Sequence, residues 1–258
     1  MSLWLLFLLV GAAGGFTAGL FGVGGGLVIV PTLYFLWRTD PIMGPHVMHF
    51  AVATSLACIV VTSITSSWTH WRYKRLVFDR LPWLAAAVSV GAISAVMLAN
   101  WLPTAWLKTG FGVFALITCI SLLRKKASDS SKPEPAKLEL FGAGTFIGHV
   151  STLLGVSGGA MTVPYLVLRG IDMRQAVVVS SAVAIPISFI GASGLALTGP
   201  SISHTVGYVH LPAFFGISMV SIFFANMGAG LSQKMDKRKL QLAFAGFLAL
   251  VAAHMLLH

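Results

Sequence analysis

The stretch GLFGVGGGLVIVP at residues 19–31 decides how this chain folds. Its five glycines and one proline stand in a run that is otherwise apolar. Glycine lowers helix stability by about 1 kcal/mol per residue relative to alanine, so adjacent glycines predict that a helix ends here. Glycine also lets the backbone expose its N–H groups with no side chain in the way. The stretch therefore predicts an apolar segment with an interrupted helix.

Composition places this segment in a membrane. The chain has 258 residues, of which 57% are hydrophobic and 9% are charged, whereas charged residues make up about a quarter of a typical soluble domain. Uncharged stretches such as 81–107 exceed the roughly 18 residues of a candidate span. The net charge of +10 fits basic cytoplasmic loops, and no Lys/Arg stripe interleaved with aromatics predicts nucleic-acid binding. The fold class is an all-α polytopic membrane protein.

The glycine stretch occurs twice. Residues 153–164 read LLGVSGGAMTVP, and a constant offset of 133 aligns them with residues 20–31. Gly24 then falls on Ser157. The identical pairs include Gly22 and Gly155, Gly25 and Gly158, Gly26 and Gly159, Val30 and Val163, and Pro31 and Pro164. The chain is therefore predicted to be a tandem duplication.

The duplication divides the chain into two repeats, residues 1–123 and 138–258, joined by a polar linker at 124–137 rich in Ser, Pro and Lys. The N-terminal stretch is expected to belong to the mature fold, because the repeat continues through it. Each repeat holds one glycine-broken segment and three plain spans. The predicted segments are 3–36 (broken), 48–68, 81–100, 105–123, 138–168 (broken), 175–197, 208–230 and 239–257.

The distribution of basic residues favours broken segments that enter and leave on one face. If every segment crossed the membrane once, the 17 Lys and Arg residues would divide almost evenly between the two sides. If the broken segments return to the same face, all but Arg38 and Lys108 lie on one side, as the positive-inside rule expects of the cytoplasm. The two repeats then have inverted orientations, a recurring plan of transporters. A hairpin with one long and one short arm remains open, because residues 3–21 could span alone.

The breaks predict an anion site. Each short stretch after a break would begin with free N–H groups and the positive end of the helix dipole. Two such ends meeting near the midplane would hold an anion between the repeats. The alternative is that the glycines only allow close helix packing, although a packing motif needs glycine at every fourth residue rather than several in a row.

Polar side chains also favour an anionic cargo. Each of the seven acidic residues lies in a loop or at the edge of a segment, whereas cation carriers place carboxylates inside the membrane. The interior offers hydroxyls instead, which are Thr54, Ser55, Thr62, Ser63, Thr65, Ser66, Ser67, Ser180, Ser181 and Ser188. The predicted substrate site comprises Gly22, Gly24, Gly25, Gly26, Pro31, Thr54, Ser55, His149, Gly155, Ser157, Gly158, Gly159, Pro164, Ser180 and Ser181.

Histidine is the titratable residue type expected inside the membrane. His149, six residues before the second break, is a candidate to relay a proton or contact the anion, and the alternative is a packed neutral side chain. His46 and His49 lack a third ligand, so no metal is predicted. No cofactor is predicted, and the transporter interpretation has no catalytic residue. The oligomeric state stays open, a homo-oligomer included.

The motifs resemble one known family. The pattern GxFGVGGGxxxVP, the AVATSL stretch at 51–56 and the second GVSGGxxxVP resemble the sulfite exporter TauE/SafE family of membrane permeases. The resemblance runs from Gly11 to about Phe247. It implies a multi-pass transporter of sulfur-containing anions such as sulfite, sulfonates or sulfoacetate in the bacterial cytoplasmic (inner) membrane. Alternating access of the two repeats about the bound anion is the expected mechanism, driven by membrane potential or by proton coupling through His149.

Two other functions are alternatives to transport. GVSGG at 155–159 matches G-x-S-x-G, and GASG at 191–194 resembles the serine motif of rhomboid proteases, which would make the chain an intramembrane serine hydrolase. That nucleophile would need a histidine within hydrogen-bond reach. A non-transporting assembly or receptor subunit is the third reading, and it predicts no polar cavity between the repeats.

Overall fold

The computed structural model describes residues 3–21, 23–72, 79–123, 136–171, 173–200, 202–232 and 237–257. This part of the chain forms ten α-helices, one short 3₁₀ turn at Gly44–His46 and one two-stranded hairpin. The elements are α1 (Leu3–Phe21), α2 (Gly26–Trp37), α3 (Val47–Arg72), α4 (Leu81–Ala99), α5 (Thr104–Leu123), α6 (Lys137–Leu154), α7 (Gly159–Leu168), α8 (Met173–Thr198), β1 (Thr205–Val206), β2 (Val209–His210), α9 (Leu211–Ser232) and α10 (Lys237–Leu257). The predicted linker 124–137 falls outside the described residues except for its last two positions, and Lys137 already begins α6.

Both glycine stretches interrupt the helix as predicted. Gly25 precedes α2 with a φ of 75°, and Gly158 precedes α7 with a φ of 77°. Both values lie in the left-handed region, which glycine enters without a steric penalty. Each broken segment consists of a long arm of 19 or 18 residues (α1, α6) and a short arm of 12 or 10 residues (α2, α7). This is the long-and-short-arm geometry that the sequence left open.

The prolines of the repeated motif lie inside the short arms. Pro31 sits in α2 and Pro164 in α7, one turn and a half after each break. Because proline has no N–H, each removes the hydrogen bond that would otherwise reach the carbonyl four residues earlier. The carbonyl that loses this bond belongs to Leu27 in α2 and to Ala160 in α7.

Six helical segments of the described chain are long and apolar enough to cross a membrane. Five correspond to predicted plain spans, and the sixth, Leu3–Leu20, is the long arm of the first broken segment. The last predicted segment, 239–257, coincides with α10. The prediction for 208–230 began too early, because α9 starts at Leu211 and the residues before it form the hairpin.

Helices α3 and α8 form the centre of the bundle. The α3 span is 78% buried and the α8 span is 61% buried, whereas the α4 span is 33% buried. The outer helices pack in pairs that join the two halves of the chain. The most extensive contacts are α1 with α9, α4 with α6, and α5 with α10. When α1–α5 are matched in order to α6–α10, the pair α1–α9 corresponds to α6–α4.

Side-chain contacts define the two ends of the bundle. At one end, Arg169 after α7 forms an ion pair with Glu139 at the start of α6, and Lys137 lies 5.3 Å from the ring centre of Trp83 at the start of α4. Helix α3 ends at Arg72 and helix α8 begins at this same end, which we call the basic end.

The hairpin β1–β2 lies at the opposite end, called the hairpin end. Thr205 pairs with His210 and Val206 with Val209, with Gly207 in the turn at a φ of 54°. A side chain on Gly207 would collide with the carbonyl of Ala196 in α8. No sequence signal in the apolar run had indicated this hairpin, because two-residue strands leave no periodic pattern.

Candidate functional site

The two breaks lie against each other in the middle of the bundle. A Cβ placed on Gly24 would collide with Ser157 Cβ and lie 2.6 Å from its Oγ. A Cβ on Gly26 would collide with the carbonyl oxygen of Gly155. Only glycine permits backbone approach at this distance, which explains why both positions lack a side chain. The two breaks therefore form one contact between the first and second halves of the chain.

A hydrogen bond from α3 reinforces this contact. Ser55 Oγ donates to the carbonyl oxygen of Gly155 at 2.9 Å, and both residues are buried. Gly155 ends α6 with a φ of 69°. A Cβ placed there would lie 2.9 Å from both Val30 Cγ2 and Val52 Cα. The serine therefore satisfies a carbonyl that the end of α6 leaves unpaired.

Both short arms begin with free backbone donors. In α2 the carbonyl of Gly25 accepts from Val28 and Ile29, and in α7 the carbonyl of Gly158 accepts from Met161 and Thr162. The backbone N–H groups that precede these donors in each short arm include those of Gly26, Leu27 and Ala160. They have no acceptor in the described part of the chain. Unpaired amides and the positive ends of two helix dipoles therefore converge on the contact between the breaks.

A small cavity adjoins this contact. Its polar wall is made of hydroxyls, and its remaining wall is made of small residues. The lining residues are Thr62, Ser63, Ser66, Ser157, Ser181, Ala18, Gly19, Gly24, Ala184 and Ala225. None of them carries a charge. The space open to the centre of a water molecule is about 10 Å³, which suffices for about one water.

The cavity lies between the breaks and the basic end. Ser66 and Ser181 close it on that side, where Ser66 Oγ donates to Ser181 Oγ at 3.3 Å between α3 and α8. Ser66 lies in the last third of α3, and Ser181 lies in the first third of α8. Ala225 likewise lies in the second half of α9, which runs toward the basic end.

The other side of the contact is filled with apolar side chains. A Cβ on Gly24 would lie 3.4 Å from Ile59, and one on Gly158 would lie 2.8 Å from Ile187. A Cβ placed on Gly191 in α8 would likewise lie 2.7 Å from Leu56 Cδ1. Leu56, Ile59 and Ile187 are fully buried. The cavity therefore lies on the basic side, and buried apolar side chains fill the space on the hairpin side.

Several residues of the predicted site do not line the cavity. Thr54 Oγ1 accepts from the backbone N–H of His210 at 3.0 Å, so it holds the hairpin instead. His149 lies 2.7 Å from Ser94 Oγ through its Nδ1 and faces α4 rather than the breaks, because α6 turns this face toward α4. Ser180 is buried with an unpartnered hydroxyl. The predicted residue Gly22 lies outside the described residues.

Sequence reasoning placed the cavity at the breaks but missed part of its wall. Gly24, Ser157 and Ser181 of the predicted site line it, and the three hydroxyls of α3 had been noted only as interior polar groups. Ala18, Gly19, Ala184 and Ala225 were missed, because small apolar residues carry no chemical signal. Helical spacing in α3 would have grouped Thr62, Ser63 and Ser66 on one face.

The serines of the hydrolase reading have no base in the described chain. Ser157 Oγ lies 3.5 Å from the backbone N of Gly159, and Ser193 Oγ donates to the carbonyl of Phe189 in its own helix at 2.6 Å. Neither hydroxyl bonds a described histidine. A nucleophilic serine needs such a partner, so the intramembrane hydrolase reading is not supported.

The fold is that of a multi-pass helical membrane protein, and its family is one of transporters rather than enzymes. The family model for sulfite exporter TauE/SafE matches residues 7–255. The chain belongs to this family, as its glycine motifs suggested.

Relatives agree with this assignment over their whole length. A probable membrane transporter protein of Haemophilus influenzae is 34% identical over 259 residues, which cover 98% of each chain. Probable membrane transporter proteins of Methanocaldococcus jannaschii and Bacillus subtilis are 29% and 23% identical, covering 98% of this chain and 95% and 97% of their own. No solved structure matches the chain significantly.

Proposed function

We propose that the protein exports small sulfur-containing anions, such as sulfite, sulfonates or sulfoacetate, across the bacterial cytoplasmic membrane. The observation that carries the proposal is the meeting of the two breaks, Gly24 against Ser157, beside a neutral cavity lined by hydroxyls. Neutral donors and helix N-termini favour an anion and offer nothing to a cation. The name of the matching family supports the sulfur-containing class.

Alternating access is the proposed mechanism. The cavity has room for about one water, so a larger anion enters only if α3 and α8 separate near Ser66 and Ser181. Release on the other side requires Leu56, Ile59 and Ile187 to part. If the basic end faces the cytoplasm, as the Lys/Arg distribution predicts, the structure is a closed state with its cavity on the cytoplasmic side. The two repeats of inverted orientation would rock about the anion.

Membrane potential is the proposed driving force. A potential that is negative inside pushes an anion outward, by about 2.3 kcal/mol per charge at 100 mV. The described cavity lining contains no titratable side chain, and His149 hydrogen-bonds Ser94 away from it. This arrangement supports uniport over a proton relay through His149.

The test uses purified protein in liposomes loaded with sulfite. We expect sulfite efflux above that of protein-free liposomes, accelerated by a valinomycin-imposed potential and unchanged by a pH gradient. Sulfonates should compete with sulfite, and sodium or choline flux should stay at background. Absence of any anion flux at every imposed potential would refute the proposal, and flux that depends on the pH gradient would replace uniport with proton coupling.

A further inference from the structure

We propose that the two breaks have different roles, and that the second break alone holds the oxyanion. The N-terminus of α7, with the hydroxyls of Ser151, Ser157 and Thr162, would ligate the anion. The first break would contribute no side-chain ligand, only apolar side chains beside the anion. This inference rests on the proposed function. It adds Ser151 and Thr162, which no motif had indicated and which do not line the cavity in this structure, to Ser157, which does.

The first observation is a set of buried hydroxyls without partners on α6, α7 and α8. Ser151, Thr162 and Ser180 have no measurable exposure, Thr152 is 1% exposed, and none of these hydroxyls has a hydrogen-bond partner. Leaving a buried polar group unpaired costs about 1–3 kcal/mol, so buried hydroxyls are normally satisfied by protein, water or a ligand. Four such groups on α6, α7 and α8 indicate a ligand.

The second observation is where one of these hydroxyls points. Ser151 Oγ lies 3.3 Å from the position that a Cβ on Gly158 would occupy, so it faces the residue that precedes α7. Ser157 Oγ lies 3.5 Å from the N of Gly159, the first residue of α7. Thr162 stands one turn further along α7, and its N–H donates to the carbonyl of Gly158 at 2.8 Å. Hydroxyls and helix end therefore share one small region.

The third observation is that the first break lacks every one of these hydroxyls. By the offset of 133 residues, Ser151 corresponds to Ala18, Ser157 to Gly24 and Thr162 to Ile29. Ala18 and Ile29 are buried apolar side chains. The α2 dipole is present, but no side-chain donor accompanies it. The repeat thus preserves the backbone of the break and changes its chemistry.

These donors define the ligand class. Hydroxyls and amides each donate one hydrogen bond, and no cation lines the cavity. A small oxyanion with several acceptor oxygens on one centre, such as sulfite or the sulfonate head group, can accept all of them at once. A halide ion, which is a sphere without directional acceptors, gains less from the same arrangement.

The experiment measures sulfite efflux kinetics for Ser151→Ala, Thr162→Val and Ser157→Gly in liposomes. We expect each change to raise KM about tenfold, since each removes one hydrogen bond to a charged group. Vmax should stay within threefold. The matched control is Thr145→Val in α6, the helix that carries Ser151. It also removes a buried unpartnered hydroxyl and should leave KM within twofold.

Ser157→Gly keeps the test decisive if another variant fails to fold, because glycine already occupies the matching position of the first break. An unchanged KM in Ser157→Gly and in every variant that folds would overturn the inference. Addition of a hydroxyl at the first break through Ala18→Ser should not restore KM in Ser151→Ala, and such a rescue would also overturn it. If wild-type protein moves no anion at all, the proposed function fails instead.

Discussion

The two ends of the central helices α3 and α8 differ although the repeats that build them are alike. Toward the basic end, Ser63, Ser66 and Ser181 surround a cavity beside the breaks. Toward the hairpin end, Leu56 and Ile187 fill the equivalent space, and the hairpin covers it through a bond to Thr54. Packing is thus tight on one side of the breaks and loose on the other, although the two glycine stretches are similar in sequence. The difference teaches that similar glycine stretches can meet in surroundings that are packed unequally.

The strongest test is to fill the contact between the breaks. Gly24→Val should lower the rate of sulfite efflux by about 100-fold, because its φ of 68° is unfavourable for a β-branched residue and its side chain would strike Ser157. Initial efflux rates per reconstituted protein provide the measurement. Gly142→Val is the control, since nothing lies within 4 Å of that position.

Efflux at the wild-type rate in Gly24→Val would show that the contact between the breaks is not used in transport. A loss of equal size in both variants would show that the effect does not come from the contact with Ser157. Either result would contradict a role for the contact between Gly24 and Ser157 in transport.

Thiol labelling tests the two ends directly. In a chain whose buried Cys58 and Cys119 are replaced by alanine, Ser66→Cys should react with a membrane-impermeant maleimide from the basic end at least tenfold faster than Leu56→Cys from either end. The physical reason is that Ser66 lines the cavity, whereas Leu56 is fully buried. Faster labelling of Leu56→Cys from the hairpin end would reverse the assignment of the closed side.

The bond between hairpin and bundle should contribute measurably to stability. Thr54→Val keeps the shape of the side chain and removes the acceptor for the His210 N–H, so a loss of about 1 kcal/mol is expected. This corresponds to a melting temperature lower by about 2–4 °C. Thr32→Val is the control, because Thr32 Oγ1 bonds only the carbonyl of Val28 in its own helix. Identical shifts in both variants would remove Thr54 from the closure of this end.

Acid should loosen the hairpin by a smaller amount. Burial lowers the pKa of His210 below its ordinary value, with a further lowering from His204 and a partial offset from Asp40. Its Nδ1 accepts from the backbone N–H of Ala213 at 3.2 Å, which requires the neutral ring at that atom. A depressed histidine pKa in the folded state means that the unfolded state binds the proton first, so stability falls as pH drops below about 6.5.

Hydrogen exchange of residues 202–210 measured between pH 8 and pH 5, corrected for intrinsic rates, checks this effect. Protection should fall at the acidic end in the wild type and stay level in His210→Gln. A loss of protection of equal size in both would assign the pH dependence to another group.

Sequence alone was sufficient for the class and the breaks. Apolar length without charge requires membrane spans, and adjacent glycines at Gly24 to Gly26 and at Gly158 and Gly159 require helix ends, because both effects are local properties of the chain. The doubled motif also predicted that the two breaks would be used together, and the family assignment followed from the same residues.

Tertiary structure alone decided which side chains meet at the centre. Gly24 touches Ser157, and Ser66 bonds Ser181, across more than a hundred residues of chain. His149 turned to α4, and Thr54 to a hairpin that has no periodic signal. The physical reason is that helix formation depends on neighbours in sequence, whereas the rotation of each helix depends on how ridges and small residues of different helices fit together.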